Sequence, residues 1–252
     1  MAESNRPLAG KVAVVTGGSK GLGRAMVLGF AERGADVVIA SRKIEPCEAV
    51  AVAARAHGVR AIAVSCHVAD WAQCDALIET AVAQLGRIDI LVNNAGIAPV
   101  APTMKDITEV LFDKTIGVNL KGPLRLGAMA AEHMGEGGAI INISSVASVR
   151  PTPFTTVYAA AKAGLNVLTS IMAQEFAPKG IRANGILCGT FSTDSFNAAV
   201  PNDEAKKIAV GGSTMNRVAE AEEIVGTAVY LATNASSYVT GQMIHVDGGV
   251  LP

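Results

Sequence analysis

Residues 12–16 (Val-Ala-Val-Val-Thr) form a short apolar run that leads straight into Gly17-Gly18-Ser19-Lys20-Gly21-Leu22-Gly23 and then into an amphipathic stretch reaching about Arg33. A buried strand, a glycine-rich turn and a helix in immediate succession are the context in which a dinucleotide is bound. Glycines permit the tight turn, the close approach of backbone to a pyrophosphate and the close packing of helix on strand. The free N–H groups and positive dipole end of the helix then face the phosphates. The spacing is G-x-x-x-G-x-G rather than G-x-G-x-x-G. Cofactor contacts are expected here from Gly17, Ser19, Lys20, Gly21, Leu22 and Gly23.

The alternation of strand and helix continues without a break. Strand patterns fall at 36–40, 60–66, 88–92, 138–144, 181–187 and 240–246, and helical patterns at 45–57, 71–85, 107–134, 158–177 and 220–232. Such alternation predicts an α/β fold on a parallel sheet. The residues are 50% hydrophobic but only 4% aromatic, so the apolar content is Ala, Val, Ile and Leu. That suits parallel strands buried on both faces under helices of small residues. The 252 residues are expected to form one domain over 1–252, with a flexible N-terminus at 1–8. The polar, irregular stretch 190–216 is expected to be a substrate lid.

The formal net charge of -1 gives no electrostatic footprint for nucleic acid or a membrane surface. The first ten residues lack the apolar core of a signal peptide. No apolar run approaches the roughly 18 residues of a membrane span, so a cytoplasmic location is expected. The four cysteines, Cys47, Cys66, Cys74 and Cys188, show no C-x-x-C spacing and read as reduced thiols. Cys66-His67 with Cys74 fits none of the usual zinc spacings, and no metal is expected.

The second strand pattern ends in Ser41-Arg42-Lys43. An NAD site places an Asp or Glu about 20 residues past the glycines, on the ribose 2′-OH. Asp36 lies at the wrong end of the strand for that. A guanidinium suits the extra phosphate of NADP through charge-assisted, often bidentate bonds, and Lys20 can reach the same phosphate. Ser41 and Arg42 therefore favour NADP(H) over NAD(H); the alternative leaves Arg42 and Lys43 as solvated loop charges. His67 and Val68 follow the third strand, and Asp70 is placed to cap the next helix. Asn93-Asn94-Ala95-Gly96 ends the fourth, where open α/β sheets bind ligands. His67, Val68, Asn94, Ala95 and Gly96 are expected to line the cofactor site.

Tyr158 and Lys162, four residues apart in a helical pattern, stack on one helix face. A phenol titrates near pH 10, and a fixed ammonium beside it favours the phenolate. Tyr158 so tuned could exchange a proton with a carbonyl or alcohol oxygen.

Thr16-Gly17-x-x-x-Gly21-x-Gly23, Asn93-Asn94-Ala95-Gly96, Ser145, Tyr158 and Lys162, in this order and spacing, resemble the short-chain dehydrogenase/reductase family from about Gly10 to Pro252. The resemblance implies a Rossmann-type, doubly wound domain with a seven-stranded parallel sheet in the order 3-2-1-4-5-6-7, helices on both faces, and a nicotinamide cofactor. It implies that Asn119, in Val118-Asn119-Leu120, sits at a helix distortion and holds a water linking Lys162 to solvent. Ser145 would be the catalytic hydroxyl; Ser144, on the other side of an extended chain, reads as a strand-end hydrogen bonder. The family usually has Pro-Gly after the sixth strand; this chain has Cys188-Gly189, with Cys188 read as a small turn substitute rather than the alternative, a reactive thiol near the nicotinamide. Gly189 and Thr193 would contact the cofactor. The helix from Tyr158 is apolar on more than one face, and with the family's habit this implies a homotetramer.

The expected activity is NADP(H)-dependent interconversion of a small-molecule ketone and a secondary alcohol. Ser145 and Tyr158 bind the substrate oxygen, Phe191 and Phe196 give the lid apolar contacts, and Lys162 holds the nicotinamide ribose. The alternatives are an NAD-dependent sugar or polyol dehydrogenase, a 3-oxoacyl-thioester reductase, and a catalytically silent NADP-binding module. Lys206 and Lys207 are the lid's only adjacent cations, which disfavours a large phosphorylated or carrier-bound substrate.

Overall fold

The structure, a computed structural model, describes residues 6–193 and 212–250 together with positions 196, 200, 202 and 210. Seven parallel strands, β1 (Val12–Thr16), β2 (Asp36–Ser41), β3 (Ala61–Ser65), β4 (Ile90–Asn93), β5 (Ala139–Ser145), β6 (Arg182–Cys188) and β7 (Met243–Val246), form one sheet in the order 3-2-1-4-5-6-7. Every residue of β1, β4, β5 and β6 is buried, whereas the edge strands β3 and β7 are largely half-exposed. Central strands covered on both faces are why those segments are apolar throughout rather than alternating.

Among the described residues the α-helices are α1 (Gly21–Glu32), α2 (Ile44–Arg55), α3 (Trp71–Leu85), α4 (Glu109–Ile116), α5 (Gly122–Ala131), α6 (Thr156–Phe176) and α7 (Val225–Ala232). Successive strand residues point to opposite faces. Ala13 and Val15 join α1, α2 and α7 in one core around Phe30, Met26 and Leu231, while Val12 and Val14 join α3, α5 and α6 in a second around Leu77, Leu126 and Met172. Each such side chain contributes about 1.5–3 kcal/mol by leaving water.

Asp70 caps α3 as expected, accepting from Gln73 N at 3.3 Å, and Gly86 closes that helix in the left-handed region at φ 85°. The long helix expected over 107–134 begins at Glu109, where the Thr108 hydroxyl accepts from Leu111 N. It continues through a π-helical turn, Gly117–Lys121, into α5. The helix expected from 220 opens with a 3₁₀ turn, Ala221–Ile224. β7 begins only at Met243, because the Thr240 hydroxyl accepts from Ala183 N at 3.1 Å in place of a ladder bond.

The flexible N-terminus expected over 1–8 requires correction at its inner end. Leu8 is 1% exposed in the α1 core, and its N–H donates to Arg33 O at 3.0 Å. A leucine there is held by burial. Most of the expected lid at 190–216 lies outside the described residues.

The strand order reverses between β1 and β4. Open α/β sheets bind ligands at the carboxyl ends of strands flanking such a switch. The glycine loop and the Asn93–Gly96 turn meet there.

Candidate active site

Thr16 ends β1 and ties the two loops together. Its hydroxyl donates to Val92 O (3.2 Å) and accepts from Asn94 N (3.0 Å) and Ala95 N (3.1 Å). Asn94 returns the connection, with Nδ2 donating to Thr16 O and Gly17 O at 2.9 and 3.2 Å. Gly17 has φ 64°, and a Cβ on Gly23 would stand 2.2 Å from Gly17 O and 2.5 Å from Asn94 Nδ2. Only glycine fits at either position. Leu22 packs on the core beside them.

Lys20 is the N-cap of α1, and its side chain makes no capping bond, so the first-turn N–H groups are left to an anion. A cavity of about 110 Å³ opens there. Gly17, Ser19, Lys20, Ser41, Arg42, His67, Val68, Ala95 and Gly96 all line it. Lys114, which the sequence reading did not single out, lines it too. The signal was available, since Lys114 lies four residues before Val118 on the same helix face, and Val118 is also in the wall. Arg42 and Lys20 are exposed and have no side-chain partner among the described residues. A glycine cradle, an open helix N-terminus and unpaired cations beside Ser41 fit a dinucleotide bearing an extra phosphate. Thr193 reaches over the loop, since a Cβ on Gly21 would lie 3.2 Å from its Cγ2.

Asn119 lies in the π-helical turn and is fully buried. Its Nδ2 donates to Ile97 O (2.8 Å) and Thr115 O (3.0 Å), and its Oδ1 accepts from Ile97 N at 3.3 Å. The extra residue of a π turn displaces one backbone bond, and the Asn119 side chain takes up the carbonyl of Thr115. A Cβ on Gly96 would lie 3.0 Å from Asn119 Oδ1 and 3.7 Å from Lys162 Nζ, so these groups converge on one small volume.

Ser145 ends β5 opposite Cys188 of β6, and its hydroxyl accepts from Ala147 N at 3.1 Å. Ser144 points away, donating to Asn166 Oδ1 at 2.6 Å, in keeping with a strand-end hydrogen bonder. Tyr158 and Lys162 sit in α6, with the ammonium 5.8 Å from the centroid of the phenol ring.

Here the electrostatics depart from the expectation that Lys162 lowers the Tyr158 pKa. Burial raises the phenol above its ordinary value, the Ser145 hydroxyl opposes this in part, and the nearby Cys188 adds to it. Lys162 is 4% exposed and donates to Ile143 O at 2.6 Å. Burial pulls its own pKa down to about 8. The ammonium is aimed at a backbone carbonyl of β5, and burial is the largest influence on the phenol.

Cys188 keeps its N–H where a proline would have none, and β6 stays paired with both neighbours to this residue. Burial pushes its thiol up to about 12. Gly189 follows, its N–H donating to Val246 O at 3.0 Å, and lines a second cavity of about 1240 Å³. Phe191 does not line it: a short parallel pairing with Ala219 turns this side chain into the core, 5% exposed. Phe196 is half-buried, with its N–H on Thr193 Oγ1 at 3.2 Å, and its chain neighbours lie outside the described residues.

A family model described as enoyl-(acyl carrier protein) reductase matches residues 17–251. An uncharacterized oxidoreductase of Methylorubrum extorquens is 39% identical over 246 residues, covering 96% of this chain and 98% of that protein. A 3-oxoacyl-[acyl-carrier-protein] reductase of Staphylococcus aureus is 38% identical over 244 residues, covering 95% and 98%. Among solved structures, a short-chain dehydrogenase of Burkholderia cenocepacia in complex with NADP superposes with a TM-score of 0.91 at 32% identity, covering 97% of this chain and 99% of that one. These similarities extend over nearly the whole of each chain, and the chain belongs to the short-chain dehydrogenase/reductase family.

Proposed function

We propose that the protein is an NADP(H)-dependent oxidoreductase that interconverts a ketone and a secondary alcohol. The observation that carries this reading is the convergence of Asn119, Lys162 and Gly96 beside Tyr158 and Ser145, next to a cavity lined by the glycine loop, Lys20 and Arg42. Arg42, Ser41 and Lys20 would hold the 2′-phosphate, the glycine loop and α1 the pyrophosphate, and Lys162 the nicotinamide ribose. When bound, the cofactor supplies the hydride.

The chain's own residues do the rest. Ser145 and Tyr158 fix the substrate oxygen and stabilise the charge that develops on it. The Tyr158 hydroxyl, kept protonated by burial, donates its proton to that oxygen. Lys162 holds positive charge behind Tyr158, and Asn119 keeps the π turn open for a water that resupplies the proton.

The exposed apolar side chains Val110 and Phe112 of α4, Leu124 of α5, and Val167 and Ile171 of α6 support assembly into a homotetramer. The similarity to the Staphylococcus aureus reductase supports a second reading, reduction of a 3-oxoacyl thioester. NADPH consumption against an acetoacetyl thioester, free ketones and keto-sugars, each repeated with NADH, separates the two. No turnover of any of them despite tight NADPH binding would contradict both.

A further inference from the structure

The larger cavity begins at Val146 and Gly189, the residues that follow Ser145 and Cys188. Among the described residues, three side chains in its wall carry or can take positive charge: Arg150, Arg217 and His245. Two are already answered. Arg217 forms a two-pronged pair with Glu223, both bonds at 2.7 Å. His245 Nδ1 meets Asp247 Oδ2 at 2.9 Å, and the other Asp247 oxygen accepts from Gly249 N. Arg150 is different. Its guanidinium has no hydrogen bond or ion pair among the described residues.

The backbone of Arg150 is held in place. Its backbone N–H donates to Val146 O at 2.8 Å, closing a turn directly onto the end of β5, where Ser148 Oγ donates to Ser145 O. Pro151 follows and restricts the backbone on both sides of the peptide bond. A guanidinium on a short, proline-stiffened loop that follows Ser145, in a wall whose other cationic side chains among the described residues already have acidic partners, is free to receive one anion. Its planar fork matches a carboxylate bidentately.

We propose that Arg150 determines substrate specificity by binding a carboxylate carried by the ketone substrate, remote from the reacting carbonyl. This rests on the ketone-reductase reading and adds the substrate class, a keto acid. Arg150 acts in binding, so its effect falls on KM rather than on kcat.

The test compares straight-chain keto acids of graded length with their methyl esters, using NADPH. In the wild-type protein the best acid is preferred over its ester by about tenfold to a hundredfold in kcat/KM. In Arg150→Gln that ratio collapses toward one, and Arg150→Lys recovers part of it. A second arm needs no turnover: the corresponding hydroxy acid raises the Tm of the NADP-bound wild-type protein, and Arg150→Gln loses the shift. Equal kcat/KM for acid and ester in the wild type, or a preference that survives Arg150→Gln, overturns the proposal. If neither acid nor ester turns over, the ketone-reductase reading fails. The thermal-shift arm still decides Arg150, since no shift, or the same shift in both proteins, rejects it.

Discussion

Lys162 places its ammonium 5.8 Å from the centre of the Tyr158 ring and donates its shortest hydrogen bond not to that phenol but to Ile143 O, at 2.6 Å. Both groups are shifted by burial, and in opposite senses. The phenol is raised, so Tyr158 stays protonated across neutral pH, while Lys162 comes down to about 8 and is the first of the two to change charge.

A pH dependence follows from this order. In the reducing direction the proton donor persists, and the positive charge behind it is lost above about pH 8. The kcat/KM for ketone reduction in the free enzyme is therefore flat below that pH and falls above it. For stability the sign is separate: the folded pKa of Lys162 lies below its ordinary 10.5, so the unfolded chain binds the proton more tightly. Burying this charge costs stability fully below about pH 8, and the cost fades as pH rises toward 10.5. A pH–rate profile with a single fall near 8 is expected; a flat profile to pH 10 would assign no role to the Lys162 charge.

Asn119→Ala removes the donor to Ile97 O and Thr115 O and leaves the buried Thr115 carbonyl without that bond. Unpaired buried groups cost about 1–3 kcal/mol, so Tm falls along with kcat. An unchanged Tm would mean that water replaces the side chain without loss.

Arg42→Ala should weaken NADPH binding about tenfold to a hundredfold, the worth of a charged hydrogen bond of about 1.5–3 kcal/mol, and leave NADH nearly unaffected. Fluorescence titration of both cofactors measures this. Equal weakening of the two would point to damage to β2 rather than a lost phosphate contact.

The Cys188 thiol, buried and raised to about 12, should resist alkylation in the native protein and react once the chain is unfolded. Peptide mass spectrometry after a maleimide pulse reads this directly. Rapid native labelling would contradict the burial.

Much of the architecture was legible in the residues. The switch-point loops could be read because Gly17, Gly23 and Asn94 are required by contacts between segments adjacent in the sheet order. The central strands announced themselves by unbroken apolar runs, since both faces are covered. What escaped depended on tertiary packing. Leu8 lies in a polar stretch and is buried only because α1 and the following turn receive it. Phe191 resembled a lid residue until its pairing with Ala219 turned it inward. The Lys162–Tyr158 spacing was clear, but spacing carries no record of desolvation or of the Ile143 carbonyl that takes the ammonium.

Tyr158→Phe isolates the proton-transfer step. It removes one oxygen from a partly buried ring and keeps the packing of α6. NADPH binding and ketone turnover are measured on the same preparation. A loss of kcat of about a thousandfold with the NADPH Kd close to wild type is the expected result. Retention of full turnover would show that Tyr158 is not the acid and would overturn the mechanism proposed for this site.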